Sequence, residues 1–414
     1  MNAINSGDTG FMLICAALVL FMTPGLAFFY GGMVRSKNVV NTMMMSFAAM
    51  AIVAVQWVLF GYSLAFSENS TWLNPLIGGL KWIGLNGVGL TPNADYAPTI
   101  PHQLYMIYQA MFAIITPALI SGAIVERMRF KVYIIFILLW STISYDCVAH
   151  WVWGSSGWLK NLGALDFAGG TVVHINAGVS ALVATLMLGP RYGFPHRVTP
   201  PHNVTLALLG GGMLWFGWFG FNAGSAVASG TAATVAFVAT NTAAASGMLG
   251  WMLLETFLKG KPTAVGAITG AVAGLVAITP ACGFVSPLSA VAIGLMVSGI
   301  CYWTLNQRMK WKLDDTLDAF SVHGVGGIFG ALITGVLASK AVNPAGNDGL
   351  LFGNISLFGV QCLAVVVTIA FSATVTYVLL KVLDLTVGIR SELQHESDGL
   401  DLVEHGEKGY HELV

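Results

Sequence analysis

The stretch "DFAGGTVVHINAG", residues 166–178, places an aspartate, three glycines and a histidine inside an apolar segment that extends over about 165–189. In the whole chain of 414 residues, 56% are hydrophobic and 9% are charged, whereas a soluble domain carries about 25% charged residues. Apolar stretches of roughly 20 residues, each long enough to cross a bilayer as a helix, recur along the sequence. The composition therefore predicts an all-α polytopic membrane protein, and a net charge of -1 offers no basic surface for nucleic acid.

Charged residues and Pro/Asn/Gly clusters divide the chain into eleven predicted spans. No basic residue precedes Arg35, so we expect the first span to be a retained helix rather than a cleaved signal. The eleventh span is the longest, and we expect it to be tilted in the bilayer. The spans cover about 9–33, 39–66, 102–126, 131–151, 165–189, 203–224, 231–258, 263–282, 287–306, 318–339 and 352–386.

Lysine and arginine residues predict the orientation of these spans. Fifteen of the 18 fall in one set of connecting segments and near the C-terminus, whereas Lys81, Lys160 and Lys340 fall in the other set. The positive-inside rule places the richer set in the cytoplasm. With an odd number of spans, we expect a multi-pass protein of the plasma (inner) membrane with its N-terminus outside and its C-terminus in the cytoplasm.

Two pairs of segments indicate an internal repeat. The first span contains "GLAFFYGGMV" and the sixth "GWFGFNAGSA", while the fifth contains "DFAGGTVVHINAG" and the tenth "DAFSVHGVGGIFG". A repeat of five spans must invert, and inverted repeats commonly hold a site between them near the midplane. We therefore predict two inverted five-helix halves followed by one further span and a tail. Their boundaries are 1–190, 191–340, 341–386 for the loop and eleventh span, and 387–414 for the cytoplasmic tail.

Two of the nine histidines, His174 and His323, lie well inside predicted spans and at matching places in the two halves. Ionisable side chains in a bilayer are costly and usually mark a pathway or a proton relay. Two neutral imidazole rings can share one hydrogen bond and still offer polar atoms to a small molecule. Repulsion between two imidazolium charges limits such a pair to one extra proton.

A metal site is not expected at this pair. Zinc would need a third or fourth ligand, and no cysteine, carboxylate or further histidine falls at an equivalent depth. The five cysteines stand alone in apolar sequence, which predicts neither a disulfide framework nor a zinc site. They are Cys15, Cys147, Cys282, Cys301 and Cys362.

Two aspartates precede the histidines. Asp166 lies eight residues before His174, roughly 12 Å along a helix. It is expected either to cap the fifth helix or to provide a fixed negative charge that favours a cation, and the two roles are compatible. Asp318 holds the corresponding position in the second half, where we expect a structural, capping role.

Several aromatic residues allow more than one interpretation from spacing alone. Trp153 in "AHWVWG" is expected at the outer end of the fourth span. It could be a membrane-interface tryptophan or a cation–π receptor for a small ammonium-type ion. Phe112 and Phe221 could pack in the core or contact lipid.

The segments "YDCVAHWVWG", "GALDFAGGTVVHINAG", "GWFGFNAGSA", "ITPACGFV", "DAFSVHGVGGIFG" and "DGLDLVEHGEKGY" resemble the ammonium transporter (Amt/Mep/Rh) family, in its Amt/Mep branch. The resemblance covers nearly the whole chain in the right order. It implies an ammonium transporter or channel with eleven spans, an outside N-terminus and one pore in each subunit of a homotrimer. It also implies a PII-type regulatory protein docking on the cytoplasmic face, methylammonium as a transported analogue, and no cofactor.

The resemblance also assigns roles to individual residues. His174 and His323 match the paired histidines that line the pore, and Phe112 and Phe221 match the stacked phenylalanines that gate it. Trp153 and Ser225, with Phe112, match the outer site that recruits ammonium. Asp166 matches the buried acid that supports this site.

A membrane-bound ammonium sensor is the alternative function. We expect it less, because such sensors usually carry a signalling domain and the tail over 389–414 is short. The sequence shows no nucleophile–base pair, nucleotide loop or metal set, so an enzyme is not expected.

Overall fold

The computed structural model describes residues 3–196 and 199–410. In this part of the chain, ten helices are long and apolar enough to cross a membrane, which confirms the prediction of an all-α polytopic membrane protein. Arg197 and the last four residues of the predicted tail lie outside the described residues. The ten helices are α1 (Ser6–Met33), α2 (Ser36–Phe66), α3 (His102–Ile124), α4 (Phe130–Asn161), α5 (Gly170–Leu188), α6 (Val204–Ala226), α7 (Thr231–Lys259), α9 (Pro287–Gln307), α10 (Phe320–Leu337) and α11 (Ile355–Val387).

The eighth predicted span, 263–282, forms the shorter apolar helix α8 (Ala264–Ile278). Its 15 residues rise about 22 Å as an α-helix, less than the roughly 30 Å of a typical hydrocarbon core. The count of eleven spans therefore stays a prediction. The remaining elements are short: a ribbon of β1 (Pro92–Asn93) and β2 (Ala97–Pro101), single turns at Ile83–Leu85 and Leu350–Phe352, α12 (Leu393–Asp398), and a last turn at Asp401–His405.

Several helices begin at the residue types that satisfy free N–H groups in a first turn. The Asn203 side chain accepts a hydrogen bond from Leu206 N at 2.9 Å at the start of α6. Thr263 caps α8 by accepting from Gly266 N at 3.0 Å. These caps fix where the helices start, within a few residues of the predicted boundaries.

Four of the long helices contain a π-helical turn, in which an extra residue widens the helix. Such turns often occur at functional sites. Two of them carry the predicted intramembrane histidines. The turns are Trp57–Gly61 in α2, Ser141–Tyr145 in α4, Gly170–Ile175 in α5 and Phe320–Gly324 in α10.

Buried ion pairs hold together the face of the molecule that carries the tail, which we call the tail face. Arg191 binds Glu126 at 2.8 Å and Asp314 at 2.7 Å, and Arg35 binds Glu126 at 3.0 Å. Burial alone raises the pKa of Glu126, but the charges of Arg191 and Arg35 outweigh it and hold that pKa below its ordinary value. Carboxylate and guanidinium groups therefore stay charged and fix the connecting segments to one another.

The tail packs on the same face. Arg390 donates to the Leu188 carbonyl at 2.9 Å, at the end of α5, and its guanidinium also binds Glu396 of α12 at 2.6 Å. The Asp401 carboxylate accepts from Asn41 N at 2.8 Å. The tail is thus joined to the ends of α5 and α2 by charged hydrogen bonds. The opposite face of the molecule is called the far face below.

Candidate functional site

His174 and His323 meet in the interior of the helical bundle. Their Nδ1 atoms lie 3.3 Å apart, and the two rings are inclined by 20° with centroids 5.3 Å apart. The side chains belong to the π-helical turns of α5 and α10 and are buried. The fold therefore brings together two ionisable rings that are separated by 149 residues in the chain, in a geometry that allows one shared hydrogen bond.

Glycines allow α5 and α10 to cross closely at this point. A Cβ atom added to Gly178 would collide with the backbone of Gly324, the residue next to His323. One added to Gly327 would lie 2.9 Å from the Cβ of His174. Only glycine permits backbones to approach in this way, and the crossing sets the separation of the two imidazole rings.

Asp166 caps the π-helical turn of α5. Its carboxylate accepts four backbone N–H groups, from Gly169 at 2.8 Å, Gly170 at 2.6 Å, Thr171 at 2.8 Å and Val172 at 3.2 Å. Of the two compatible roles expected for Asp166, the geometry supports the cap. The same carboxylate also places negative charge at the start of the histidine helix, so its role toward a cation remains a prediction.

Asp318 does not have the predicted capping role, which belongs to Asp315. The Asp315 carboxylate accepts from Ala319 N at 3.0 Å and Phe320 N at 2.8 Å. Asp318 has a positive φ of 61° and instead binds Arg308 Nη1 at 2.5 Å. Asp315 lies eight residues before His323, as Asp166 does before His174, so equal spacing to the histidine is the sequence signal that would have identified the cap.

A column of aromatic rings runs from the far face to the histidines. Trp153, which is partly exposed, packs edge-on against Phe112 with ring centroids 5.7 Å apart. Phe112 lies 4.2 Å from Phe221, and Phe221 lies 6.1 Å from His174. Both phenylalanines are buried, so they separate the partly exposed end of the column from the two imidazole rings.

Polar groups surround the exposed end of this column. Ser225 is partly exposed and donates to the Phe221 carbonyl at 2.9 Å. Trp153 Nε1 donates to the Asp166 carbonyl at 3.0 Å, so the tryptophan is tied to the cap of α5. Tyr108, which the sequence reasoning missed, lies one turn before Phe112, and its hydroxyl is 3.3 Å from Ser225 Oγ.

Trp218 is a second neighbour that the sequence reasoning missed. Its ring stacks on His174 at a centroid distance of 5.4 Å and an angle of 24°, and its Nε1 donates to Thr279 Oγ1 at 2.9 Å. It lies three residues before Phe221, inside "GWFGFNAGSA". A residue one helical turn before Phe221 lies on the same helix face as Phe221. This spacing is the sequence signal that would have pointed to Trp218.

Two cavities meet at the histidine pair. One has a volume of about 10 Å³, which is about the space for one water-sized molecule, and it lies between Phe221 and the two imidazole rings. The rest of its lining is apolar apart from the Trp218 N–H: Met22, Leu26, Phe29, Ile115, Leu119, Val173, Leu214, Trp218 and Val272.

The second cavity, of about 400 Å³, reaches His323 from the tail face. It carries the ionisable side chains of Arg191, Glu255, Lys259, Arg308 and Asp318. Burial raises the pKa of Asp318 to about 7 even though the Arg308 guanidinium lowers it. Among the described residues, no group of three His, Cys, Asp or Glu side chains could hold a metal ion.

The model of the Ammonium Transporter Family matches residues 10–410 of this chain. The chain is 51% identical over 409 residues to an ammonium transporter of Bacillus subtilis, with 99% of both chains covered. It is 44% identical over 407 residues to the ammonium transporter Amt1 of Archaeoglobus fulgidus, with 98% and 100% covered.

Solved structures of similar proteins have the same fold. Saccharomyces cerevisiae Mep2 superposes with a TM-score of 0.88 at 37% identity, covering 94% of this chain and 88% of that one. A structure described as a sensor Amt protein also gives a TM-score of 0.88, at 30% identity, covering 96% and 98%.

Proposed function

Since the chain belongs to the ammonium transporter family and is a transporter rather than an enzyme, we propose that it selects ammonium by removing its charge. Ammonium binds at the far face beside Trp153, Phe112 and Ser225 and gives up a proton there to solvent water at the partly exposed end of the aromatic column. Neutral ammonia then passes Phe112 and Phe221 and moves along His174 and His323. The contact between the two histidine Nδ1 atoms at 3.3 Å is the observation that carries this proposal.

The recruitment step uses the exposed end of the aromatic column. The face of Trp153 attracts a cation through its ring quadrupole, and Phe112 lies 5.7 Å away, edge-on to it. Ser225 Oγ donates its own proton to the Phe221 carbonyl, so its lone pairs are available to accept an ammonium N–H group at the same place. Asp166, whose carbonyl holds the Trp153 indole at 3.0 Å, supports this site through its position and its negative charge.

Selectivity then follows from chemistry rather than size. Ammonium and potassium are similar in size and charge, but only ammonium can leave its charge behind as a proton. The buried Phe112 and Phe221 rings and the apolar cavity below them penalise any ion that remains charged. A neutral molecule with one lone pair and three N–H groups can pass, and the two imidazole rings offer it both a donor and an acceptor.

The remaining features concern the membrane. We propose that the tail face is cytoplasmic, because the basic connecting segments lie there, and that the protein resides in the plasma (inner) membrane. The inverted halves 1–190 and 191–340 would then place one histidine each at the midplane. The family resemblance further supports a homotrimer, and a PII-type protein that docks on the tail face.

The test is a protein in which His174 and His323 are both replaced by leucine. We expect selective uptake of labelled methylammonium to be lost, or the pore to conduct potassium, because the polar bridge is gone. Uptake by cells grown on limiting ammonium and currents in reconstituted liposomes measure the two outcomes. Ammonium-selective transport that persists in this double variant would remove the histidines from the mechanism.

The same uptake assay addresses the sensor alternative. One solved structure at 30% identity is described as a sensor, whereas the curated relative at 51% identity is named a transporter. Transport is therefore the function that we propose.

A further inference from the structure

Six buried side chains form a polar contact between three helices, in two layers one helical turn apart. We call it the polar seam. Each helix contributes two residues spaced by four, so the two lie on one helix face. The seam consists of Trp140 and Ser144 of α4, Asn176 and Ser180 of α5, and Ser372 and Thr376 of α11.

Asn176 is the centre of the first layer. Its side-chain oxygen accepts from Ser144 Oγ and from Ser372 Oγ, each at 2.8 Å. In the second layer Ser180 Oγ accepts from Trp140 Nε1 at 3.0 Å and from Thr376 Oγ1 at 2.7 Å. Both layers therefore join α5 to the same two neighbours.

These hydroxyl groups reach across to another helix although a local partner exists. A hydroxyl in a helix can bond to the carbonyl four residues earlier, as Thr374 of α11 does with Ala370 at 2.7 Å. Ser144 and Ser372 use the Asn176 oxygen instead. Since a polar group in hydrocarbon must find a partner, the shared acceptor favours one depth and one rotation of α5.

The position of Asn176 connects the seam to the histidine. The π-helical turn of α5 ends at Ile175, and the regular α-helix begins at Asn176, two residues after His174. Asp166 holds the start of the turn through four N–H groups, and Asn176 holds its end. The matching position in α10, two residues after His323, is Val325, whose apolar side chain cannot make such bonds.

We propose that Asn176 is a positioning residue for His174, and that the first layer of the seam fixes where the π-helical turn ends. This inference rests on the proposed function for its consequence in transport, but not for its consequence in structure. Without the seam, the extra residue of the turn can move along α5. A shift by one residue turns His174 away from His323 and breaks the Nδ1–Nδ1 contact.

The test compares Asn176→Leu with a control that removes the second layer, Ser180→Ala with Thr376→Val. The full-length protein is purified in detergent with ¹⁵N-labelled histidine, and the signal of His174 is identified from a His174→Leu sample. In the NMR spectra of the wild type and of the control, we expect a scalar coupling across the N–H···N hydrogen bond between His174 and His323. We expect this scalar coupling to be lost in Asn176→Leu. We also expect methylammonium uptake by Asn176→Leu to fall roughly tenfold or more, as for a misplacement of about 1 Å in a site.

A second variant keeps the test informative if Asn176→Leu does not fold. Ser144→Ala with Ser372→Ala removes both donors and leaves Asn176 in place, and the same loss of coupling is expected. Coupling that persists in a folded protein without the first layer, or that is lost equally in the control, would overturn the inference. Coupling that is lost while selective uptake stays normal would leave the inference intact and contradict the proposed function instead.

Discussion

The two helices that carry the histidines begin alike and are held differently. In both α5 and α10 an aspartate eight residues before the histidine caps a π-helical turn. Asp166 accepts four N–H groups, and the ring of His174 stacks on Trp218 beside a small apolar cavity. Asp315 accepts from Ala319 and Phe320, and His323 lines a larger cavity with charged walls.

The same capped π-helical turn therefore lies in two different environments. The α5 turn is fixed at both ends and faces apolar groups, so His174 has little freedom to move or to exchange protons with solvent. The α10 turn is held less firmly and adjoins charged side chains. We therefore expect substitutions around His174 to affect transport more than equivalent ones around His323.

The largest effect is expected where the two helices cross. Gly178→Ala inserts a methyl group into the backbone of Gly324, which must push α5 from α10 and separate the imidazole rings. We expect methylammonium uptake to fall close to background while the protein still reaches the membrane. Gly212→Ala on α6, where a Cβ meets open space, is the matched control, and wild-type uptake by Gly178→Ala would show that the crossing does not set the histidine contact.

The two caps provide a direct comparison of the helix starts. Asp166→Asn leaves one acceptor oxygen for four N–H groups, whereas Asp315→Asn leaves one for the pair from Ala319 and Phe320. Charged hydrogen bonds contribute about 1.5–3 kcal/mol each, so we expect about 2 kcal/mol more destabilisation from Asp166→Asn. Thermal unfolding in detergent measures this, and equal losses for the two variants would contradict the difference between the helices.

Substitutions of two tryptophans should distinguish ammonium binding at the far face from passage along the histidines. Trp153→Leu removes a cation–π face, which is worth about 0.5–2 kcal/mol, so the KM for methylammonium should rise about 2- to 30-fold with little change in maximal rate. Trp218→Leu removes the ring that stacks on His174 below the phenylalanines, and the maximal rate should fall while KM stays. Concentration-dependent uptake distinguishes the two patterns, and an unchanged KM in Trp153→Leu would leave that residue only an interface role.

The smallest effect concerns Asp314, in the tail-face segment that precedes α10. Burial alone raises the pKa of Asp314, but the hydrogen bonds and charge of Arg191 outweigh it and hold that pKa below its ordinary value of 3.8. A depressed carboxyl pKa contributes stability that is present above 3.8 and is lost as pH falls through the lower folded value. The melting temperature of the wild type should therefore decrease below about pH 4, at constant ionic strength.

The control for this acid effect is a pair of substitutions. Asp314→Asn should have a lower melting temperature at neutral pH and a flatter acid dependence, because its titrating group is gone. Asp348→Asn, in a connecting segment far from Arg191, should retain the wild-type curve. An acid profile of Asp314→Asn that parallels the wild type would assign the dependence to other carboxylates.

Sequence alone predicted the parts of the molecule that depend on residue type. Hydropathy revealed the helices, and the scarcity of ionisable residues in the apolar segments singled out His174 and His323 as a pair. Asp318, predicted as the second cap because it was taken as the counterpart of Asp166, lies only five residues before His323. The spacing of eight residues between Asp166 and His174 selects Asp315 in the second half instead.

The parts that sequence did not reveal depend on contacts between distant helices. Trp218 is one of 12 tryptophans, and although it lies one turn before Phe221, only the structure shows its ring stacked on His174. The Asn176 oxygen meets Ser144 and Ser372, which lie 32 and 196 residues away in the chain. Such contacts require the rotation of each helix, which hydropathy does not determine.

The small cavity between Phe221 and the imidazole rings has a consequence for how transported molecules move past one another. On the pathway that we propose, its volume of about 10 Å³ accommodates a single small molecule, so ammonia molecules would pass there in single file. If ammonia with different isotopic labels is placed on the two sides of the membrane, the two populations should obstruct each other. Each one-way flux should then depend on the ammonia concentration on the side that it enters.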